Sequence, residues 1–580
     1  MKKCFTLSVI LLLLTLSLTF VFAGCADNGP ETDLSTDESV VGTDTETSKK
    51  DLSEYIPLSK DGTPLYTVVY QTADLIDGTT ISNYSNAASS IVSKLNELVS
   101  KANFKKLSGR TLPTDTKVIA VGNVKGVFEE NFDKLRFNDW RIRENNGNVS
   151  VAAYTESALY ISTERIKDNL EVIDGDVYLK RNVLDMSHHS SYHIETMTVG
   201  DTDIFDYVIS YTGDNKELAT YFRDAIRTFN GAIIPIKENS SAARSILIET
   251  STASDGYKVA KDGEKIKISF SSELDKELLR LHIEKSFDDV KRNGSLDLDT
   301  LENELSISDG RKIISYNVLN VWSGSSAGIR DDMTVRMIQD YAPDFVCLQE
   351  FDVGYRNSAD GLIDRLSADY TEVDIDGVDK NEIWNPIFYD IDKYTVLETG
   401  WVYLPSVTSS NESNYNGFPD GKSRFRSLVW AVFEDKTTEE IFLVGNTHLS
   451  YESANEVQAG EVEKISVKLK EVASKYDGCV TLLSGDLNSS RENALSGVSK
   501  LISEHGFKDT YDAAHHRNNY HTTHTSGNIP VAGYMKNAID HVLTLNDLDV
   551  QTYLVLYDSD ILEASDHCPT IVQFTTNQNS

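Results

Sequence analysis

The sequence predicts an α/β protein: one small α/β unit carried twice between about residues 53 and 300, then a larger α/β domain with two packed sheets over about 311–575. Three observations predict it. Strand-like and helix-like apolar patterns alternate along most of the chain, the signature of sheets covered by helices. The order strand, helix, strand, hairpin occurs in both halves of 53–300. After residue 310, a series of short apolar runs each stops at an acid, an amide or a histidine. A length of 580 residues also exceeds what one hydrophobic core usually serves.

The chain opens with Lys2 and Lys3, followed by an apolar run from Phe5 to Ala23 broken only by Thr and Ser. A basic start, a hydrophobic middle and small residues at the end make a secretory signal; the run is borderline in length for a membrane span. Its end, Phe22-Ala23-Gly24-Cys25, resembles the lipobox of bacterial lipoproteins, with Phe22 where Leu is usual. That resemblance implies a signal peptide over 1–24, a lipid on Cys25, and a mature chain anchored to the membrane outside the cytoplasm. Residues 25–52 are rich in Asp, Glu, Thr and Ser and poor in large apolar side chains, so a disordered acidic tether is expected.

The remaining cysteines, Cys347, Cys479 and Cys568, are dispersed, and two of them sit in apolar strand-like runs, so no structural disulfide is expected. The net charge of -35 argues against a long polynucleotide as the preferred ligand, because proteins that grip nucleic acid non-specifically carry a basic footprint.

The first copy of the repeated unit is placed over 53–200. Its parts are Tyr66-Thr-Val-Val-Tyr70, a helix around Ile91–Lys101, Lys117-Val-Ile-Ala-Val121, and a hairpin whose arms flank Asn145-Asn-Gly147. The second copy, over 201–300, has Tyr207-Val-Ile-Ser-Tyr211, a helix near Glu217–Thr228, Ser245–Glu249, a hairpin about Asp262-Gly263, and a helix Glu273–Lys285. His188, His189 and His193 cluster between the copies; with no acid or further histidine at ligand spacing, a solvated loop is the expected reading over a metal tract. Residues 293–310 read as a domain junction.

The third region carries strand-like runs at Lys312–Tyr316, Phe345–Leu348, Ile387–Tyr389, Leu428–Phe433, Phe442–Asn446, Val480–Ser484 and Ile539–Leu543, with helical patterns at Asp331–Tyr341 and Glu456–Lys475. Polar groups cluster where these runs stop: Asn317; Gln349-Glu350; Asn446-Thr-His448; Asp486-Leu-Asn488; Asp540-His541; and Ser565-Asp-His567 before the final strand. A single acid or amide there is usually a cap or a turn. Six such ends in one domain point to a site mounted on a rigid scaffold.

These residues resemble the motifs of the endonuclease/exonuclease/phosphatase superfamily. Ser315-Tyr-Asn317 looks like the first motif, and Pro343–Glu350 with the upstream Arg336 like the second. Asn385-Pro-Ile-Phe-Tyr389 with Lys393 and Gly400-Trp401 looks like the central block. Asn446-Thr-His-Leu449, Gly485-Asp-Leu-Asn488, Ile539-Asp-His541 and Ser565-Asp-His567 follow in order. His541 and Pro386 are departures from the pattern.

The resemblance covers about 311–575 and implies a four-layer α/β/β/α sandwich. It implies Glu350, Asn317 and Asp566 as oxygen ligands for Mg2+ (or Mn2+), which chemistry also favours. It further implies Asp486 and Asn488 positioning the attacking water and the phosphate, and His448 donating to a phosphoryl or leaving oxygen. The resemblance also implies that His567 is oriented by Asp540, with its role as base or as electrostatic clamp left open. Arg424 and Arg426 in Ser423–Ser427 are candidate contacts for a second phosphate or charged head group. His521 and His524 lie in a loop that similar enzymes use for substrate contacts, and His521 is taken as the candidate.

The expected function is extracytoplasmic, metal-dependent hydrolysis of a phosphate ester, with a phosphodiesterase the leading form. Expected substrates are lipid head groups, inositol or sugar phosphates, or nucleic acid fragments. A non-catalytic binding lipoprotein on the same fold and a secreted nuclease are the alternatives. No obligate protein partner is expected.

Overall fold

The computed structural model describes residues 50–72, 81–251, 256–305, 310–321, 327–404, 426–450, 455–518, 522–526, 538–557 and 559–576. The signal segment, Cys25, most of the tether, Arg424 and His521 lie outside the described residues. The chain is mixed α/β with several sheets. Among the described residues no helix is long and apolar enough to cross a membrane.

Two six-stranded sheets occupy the N-terminal half. In the first, strands run in the order 106–108, 66–70, 117–121, 148–153, 140–145, 187–188; in the second, 236–238, 208–211, 245–250, 265–270, 257–262, 303–305. In both, the first four strands pair in parallel and the last two antiparallel. The first hairpin closes through Asn146 and Gly147 at φ of 52° and 80°, the left-handed conformations a tight two-residue turn demands.

Some elements differ from expectation. The helix expected around Ile91 runs from Ile81 to Leu98; its Ser- and Asn-rich first half, which buries Tyr84 and Ala88, shows little apolar periodicity and so gave no sequence signal. A helix at Glu156–Asp168, capped by the Thr155 hydroxyl, was not foreseen. The expected junction at 293–310 contains structure. Gly294–Asp297 pairs in parallel with Ile194–Val199, and Asn303–Leu305 forms the edge of the second sheet. The Asn-Gly and acidic residues that suggested a linker are the turn and caps around those short strands. His188 stacks on Trp140, and His189 Nδ1 meets the buried Asp139 carboxylate at 3.1 Å.

In the C-terminal region the strands are β1 (Arg311–Asn317), β2 (Phe345–Gln349), β3 (Tyr370–Glu372), β4 (Ile387–Asp390), β5 (Tyr394–Tyr403), β6 (Ser427–Asp435), β7 (Ile441–His448), β8 (Val480–Asp486), β9 (Lys508–Asp509), β10 (His516–Arg517), β11 (Asp540–Thr544), β12 (Leu548–Val555) and β13 (Thr570–Thr576). One sheet has the order β3-β4-β2-β1-β13-β12-β10, the other β5-β6-β7-β8-β11-β9. The long edge strand β5 escaped the sequence reading because it is half-exposed and shows no clean alternation.

Successive residues of a strand face opposite ways, which sorts the apolar side chains into layers. Ile313, Phe345 and Val572 of one sheet meet Val429, Phe433, Val444 and Leu482 of the other in a shared core. On the far face of the second sheet, Leu443 and Leu483 pack on Val462, Ile465 and Leu469 of α2 (Asn455–Ala473), after α1 (Ala327–Tyr341) in chain order. On the far face of the first sheet, Ile314, Val346 and Leu348 join Val335 and Ile338 of α1. The same cluster continues into Phe222, Leu278 and Phe287 on the helices Lys216–Asn230 and Glu273–Asp288 of the second N-terminal sheet.

Candidate active site

Strand register gathers the polar strand ends into rows. His448 pairs with Asp486 between the parallel β7 and β8, and Asp486 pairs with Asp540 between the antiparallel β8 and β11. In the other sheet Asn317 at the end of β1 pairs with Gln349, next to Glu350. Close approach of β7 and β8 requires glycine at 485. Its φ is +152°, and a Cβ there would sit 1.9 Å from the Thr447 carbonyl oxygen.

Buried amides bind the two sheets together at this end. Asn446 Nδ2 donates to the carbonyls of Leu348 and Pro386, both at 2.8 Å, while its Oδ1 accepts from Gln349 Nε2 at 2.9 Å. Asn385 Nδ2 donates to the carbonyls of Asn446 and Ser427. Asn446, Gln349 and Pro386 therefore hold the scaffold, and Pro386 is buried in this tie instead of standing on a substrate rim. His541 is likewise internal, near Asp509 and the Ser489 carbonyl. Arg336 lies on α1 and lines a crevice with Glu217, Glu273 and Glu277.

The remaining strand-end groups form one connected set. Asn317 Nδ2 donates to Glu350 Oε1 and to Asp486 Oδ2, each at 3.1 Å. Its own Oδ1 accepts from the Leu319 N–H, so in this orientation Asn317 ties the two acids together. Asp486 Oδ2 lies 3.4 Å from His448 Nε2 and 3.7 Å from His567 Nε2. Asn488 Nδ2 lies 2.9 Å from the same His448 nitrogen, and its N–H donates to Asp486 Oδ1 at 2.8 Å. Asp540 Oδ2 and His567 Nδ1 meet at 2.8 Å, which commits Nδ1 and turns Nε2 toward Asp486. Ser565 locks this loop to β1: its hydroxyl donates to the Asn317 carbonyl at 2.6 Å and accepts from the His567 N–H.

Burial sets the electrostatics. Desolvation and the neighbouring Asp540 carboxylate raise the Asp486 pKa above the usual carboxylate range. Burial alone would lower the His567 pKa, but the carboxylates of Asp540, Asp486 and Asp566 outweigh it and raise it to about 10. Burial, with the charges of Arg426 and His567, drives His448 well below its ordinary value, so His448 is neutral.

Seven expected residues (Asn317, Glu350, His448, Asp486, Asn488, Asp540 and His567) thus meet in one place. Asp566 stands beside His567 and faces His524, with Oδ2 3.6 Å from His524 Nε2. Arg426 is buried and close enough to act on His448 through its charge.

Two residues were missed by sequence reading. Asn320 gives Glu350 Oε2 two donors, its backbone N–H at 3.1 Å and its side-chain amide. His524, passed over in favour of His521, forms an isolated bridge with His567. Asn320 was discoverable as a second amide three residues beyond Asn317; nothing in the sequence signalled the His524 bridge.

The donor chemistry fits a hard divalent cation. Glu350 offers a carboxylate, and the buried Oδ1 atoms of Asp540 and Asp566 have no hydrogen-bond partner among the described residues. Two sets of three groups bring potential ligand atoms within 4.8 Å of one another: Asp486, Asp540 and His567; and His524, Asp566 and His567.

No protein-family model matches the chain, and no curated protein does. Solved structures that match include endonuclease/exonuclease/phosphatase family proteins. One from Bacteroides thetaiotaomicron is 21% identical, covering 46% of this chain and 97% of that one at a TM-score of 0.36. A mannosyl-6-phosphatase of the same species is 21% identical, covering 46% and 100% at 0.37. A Bacteroides vulgatus member is 21% identical, covering 46% and 99% at 0.38.

Proposed function

We propose that this chain is a divalent-cation-dependent phosphoester hydrolase of the endonuclease/exonuclease/phosphatase kind. It acts as a phosphodiesterase outside the cytoplasm from a lipid anchor at Cys25. The single observation that carries the reading is the continuous set Glu350–Asn317–Asp486–His448/Asn488 with Asp540–His567, assembled at the facing ends of two sheets.

The reading takes the two packed sheets and their outer helices as one four-layer catalytic sandwich. It takes the two N-terminal sheets, which share one strand order, as copies of a single unit.

Glu350, Asp566 and, with its amide turned over to present Oδ1, Asn317 are the residues that would hold Mg2+ or Mn2+, which when bound polarises a phosphoryl oxygen and offsets its growing negative charge. His567, held protonated by the surrounding carboxylates, presents Nε2 as a cationic donor to a phosphoryl oxygen. Asp486, its pKa raised by burial and Asp540, accepts the proton of an attacking water nearer neutrality than an ordinary carboxylate does. Neutral His448 and the Asn488 amide flank that position and orient the water and the phosphate. On this account His567 is the clamp and Asp486 the base. The strongly acidic chain favours a small or lipid-linked phosphate over a long polynucleotide.

The test is hydrolysis of bis(p-nitrophenyl) phosphate and of the monoester, with Mg2+ and with chelator, by wild type and His567→Ala. Turnover that needs the metal and falls by about 10²–10⁴ in the variant supports the reading. Folded wild-type protein that hydrolyses neither ester in Mg2+ or Mn2+ overturns it.

A further inference from the structure

Two loops carry the polar groups at the end of the second sheet, one leaving β7 at His448 and one leaving β8 at Asp486. Gln458, near the start of α2 and only 4% exposed, reaches both. Its Nε2 donates to the Ser450 carbonyl at 2.7 Å and to the Leu487 carbonyl at 3.2 Å, with the Asn488 carbonyl 3.4 Å away. Its Oε1 accepts from the Gly497 N–H at 2.9 Å, which settles which way the amide faces. Three residues on, along the same face of the helix, Glu461 takes the Ser450 N–H and hydroxyl. Ser450, two residues past His448, is thus held at its N–H, its hydroxyl and its carbonyl.

The two loops also touch directly. The Leu449 N–H donates to the Asp486 carbonyl, and Asn488 Nδ2 donates to the Leu449 carbonyl, both at 2.9 Å. The same Asn488 nitrogen stands 2.9 Å from His448 Nε2. Asn488 has a φ of 46°, in the left-handed region that costs a residue with a Cβ and persists where the surroundings enforce it. Gln458 supplies part of that enforcement. Its one amino group bridges two carbonyl oxygens, one from each loop, whose like partial charges would otherwise push the loops apart.

We propose that Gln458 is a positioning residue: it sets the spacing of the two loops, and so aims the Asn488 amide and the His448 ring at the place beside Asp486 where water and phosphate meet. The catalytic meaning of this role rests on the phosphoester-hydrolase reading above. Gln458 touches no reacting atom, so its effect falls on rate and not on substrate binding. A displacement of a fraction of an ångström to about 1 Å in a positioned group costs up to about 100-fold in rate.

The test uses Gln458→Met, which keeps the side chain's length and removes its hydrogen bonds, with circular dichroism melting to show that the protein remains folded. On bis(p-nitrophenyl) phosphate with Mg2+, kcat falls by about 10–100-fold while KM stays within about twofold. In an Asn488→Ala background the same substitution costs less than about threefold further, because the group that Gln458 aims is gone; a general weakening of the fold would multiply in full. Nuclear magnetic resonance of the 15N-histidine-labelled chain supplies a readout independent of turnover. The His448 ring signals, assigned with His448→Gln, move in Gln458→Met, and those of the exposed His515 do not.

A folded Gln458→Met protein overturns the proposal if its kcat stays within about twofold of wild type, if its loss is undiminished beside Asn488→Ala, or if the His448 signals do not move. In a wild-type protein that hydrolyses neither ester the functional reading falls, and the His448 signals alone then decide whether Gln458 positions the loops.

Discussion

Glu461 on α2 is fully buried, and both its oxygens are claimed by one residue near the pocket. The Ser450 hydroxyl donates to Oε1 at 2.7 Å and the Ser450 N–H to Oε2 at 3.1 Å. Burial raises its pKa from 4.5 to about 7, against the lowering effect of Ser450 and of Arg426. At about 1.4 kcal/mol per pKa unit, that rise corresponds to about 3 kcal/mol.

The sign follows from linkage. Between pH 4.5 and 7 the folded chain holds this proton and the unfolded chain has released it, so stability falls as pH rises through that window. Below it there is no penalty, and above it the full penalty is present. Glu461→Gln keeps the shape and an acceptor for Ser450 but cannot ionise. Urea unfolding followed by far-ultraviolet circular dichroism at pH 5 and pH 8 measures the effect. Relative to wild type, the variant gains about 2–3 kcal/mol more at pH 8 than at pH 5. A difference between the two proteins that is the same at both pH values refutes the reasoning.

Asp540→Asn keeps the size of the side chain but removes the charge that orients and protonates His567. kcat on the diester drops by about 10²–10⁴ with KM little changed; retention of a third of wild-type kcat would count against the clamp role. Gly485→Ala forces a Cβ against the Thr447 carbonyl, so the chain either loses several kcal/mol, on the order of 3 or more, or fails to fold, which thermal melting reports. Glu350→Gln weakens Mg2+ activation at least tenfold, read as a shift in the metal concentration giving half-maximal rate. Asn385→Ala removes two buried hydrogen bonds between the sheets and costs roughly 1–3 kcal/mol by urea unfolding, the Ser427 carbonyl keeping the Thr447 hydroxyl as a donor.

The candidate site groups were legible because several strands advertised their own ends: an apolar run, then Asn317, Glu350, His448 or Asp486. A strand that is buried on both faces has few polar residues to spare until it leaves the sheet, so position, together with the order of the motifs, separated these from decorative acids. The register that aligns His448, Asp486 and Asp540 was not legible, since pairing depends on residues far apart in sequence. His524 shows the same limit. Its partner lies across a loop-to-loop bridge with no periodicity to betray it. Asn446 and Gln349 looked like site residues and proved to be ties, because a buried amide at a strand end looks the same in either role. Glu461, on the solvent-to-core boundary of an ordinary amphipathic helix pattern, gave no sign that it would be fully enclosed. The half-exposed edge β5 and the helix at Glu156–Asp168 were missed for a related reason: weak patterning where burial is incomplete.

The apolar cluster that runs from Phe222, Leu278 and Phe287 into Ile338 and Ile571 makes the second N-terminal sheet and its helices a thermodynamic part of the region that carries the candidate site. Cutting the chain near residue 310 would strand greasy helix and sheet faces in water on both pieces, so the boundary that sequence texture draws there separates stretches of different rhythm but not bodies of independent stability. An engineer wishing to move the candidate site onto another scaffold would have to carry the helices at 216–230 and 273–288 along with it.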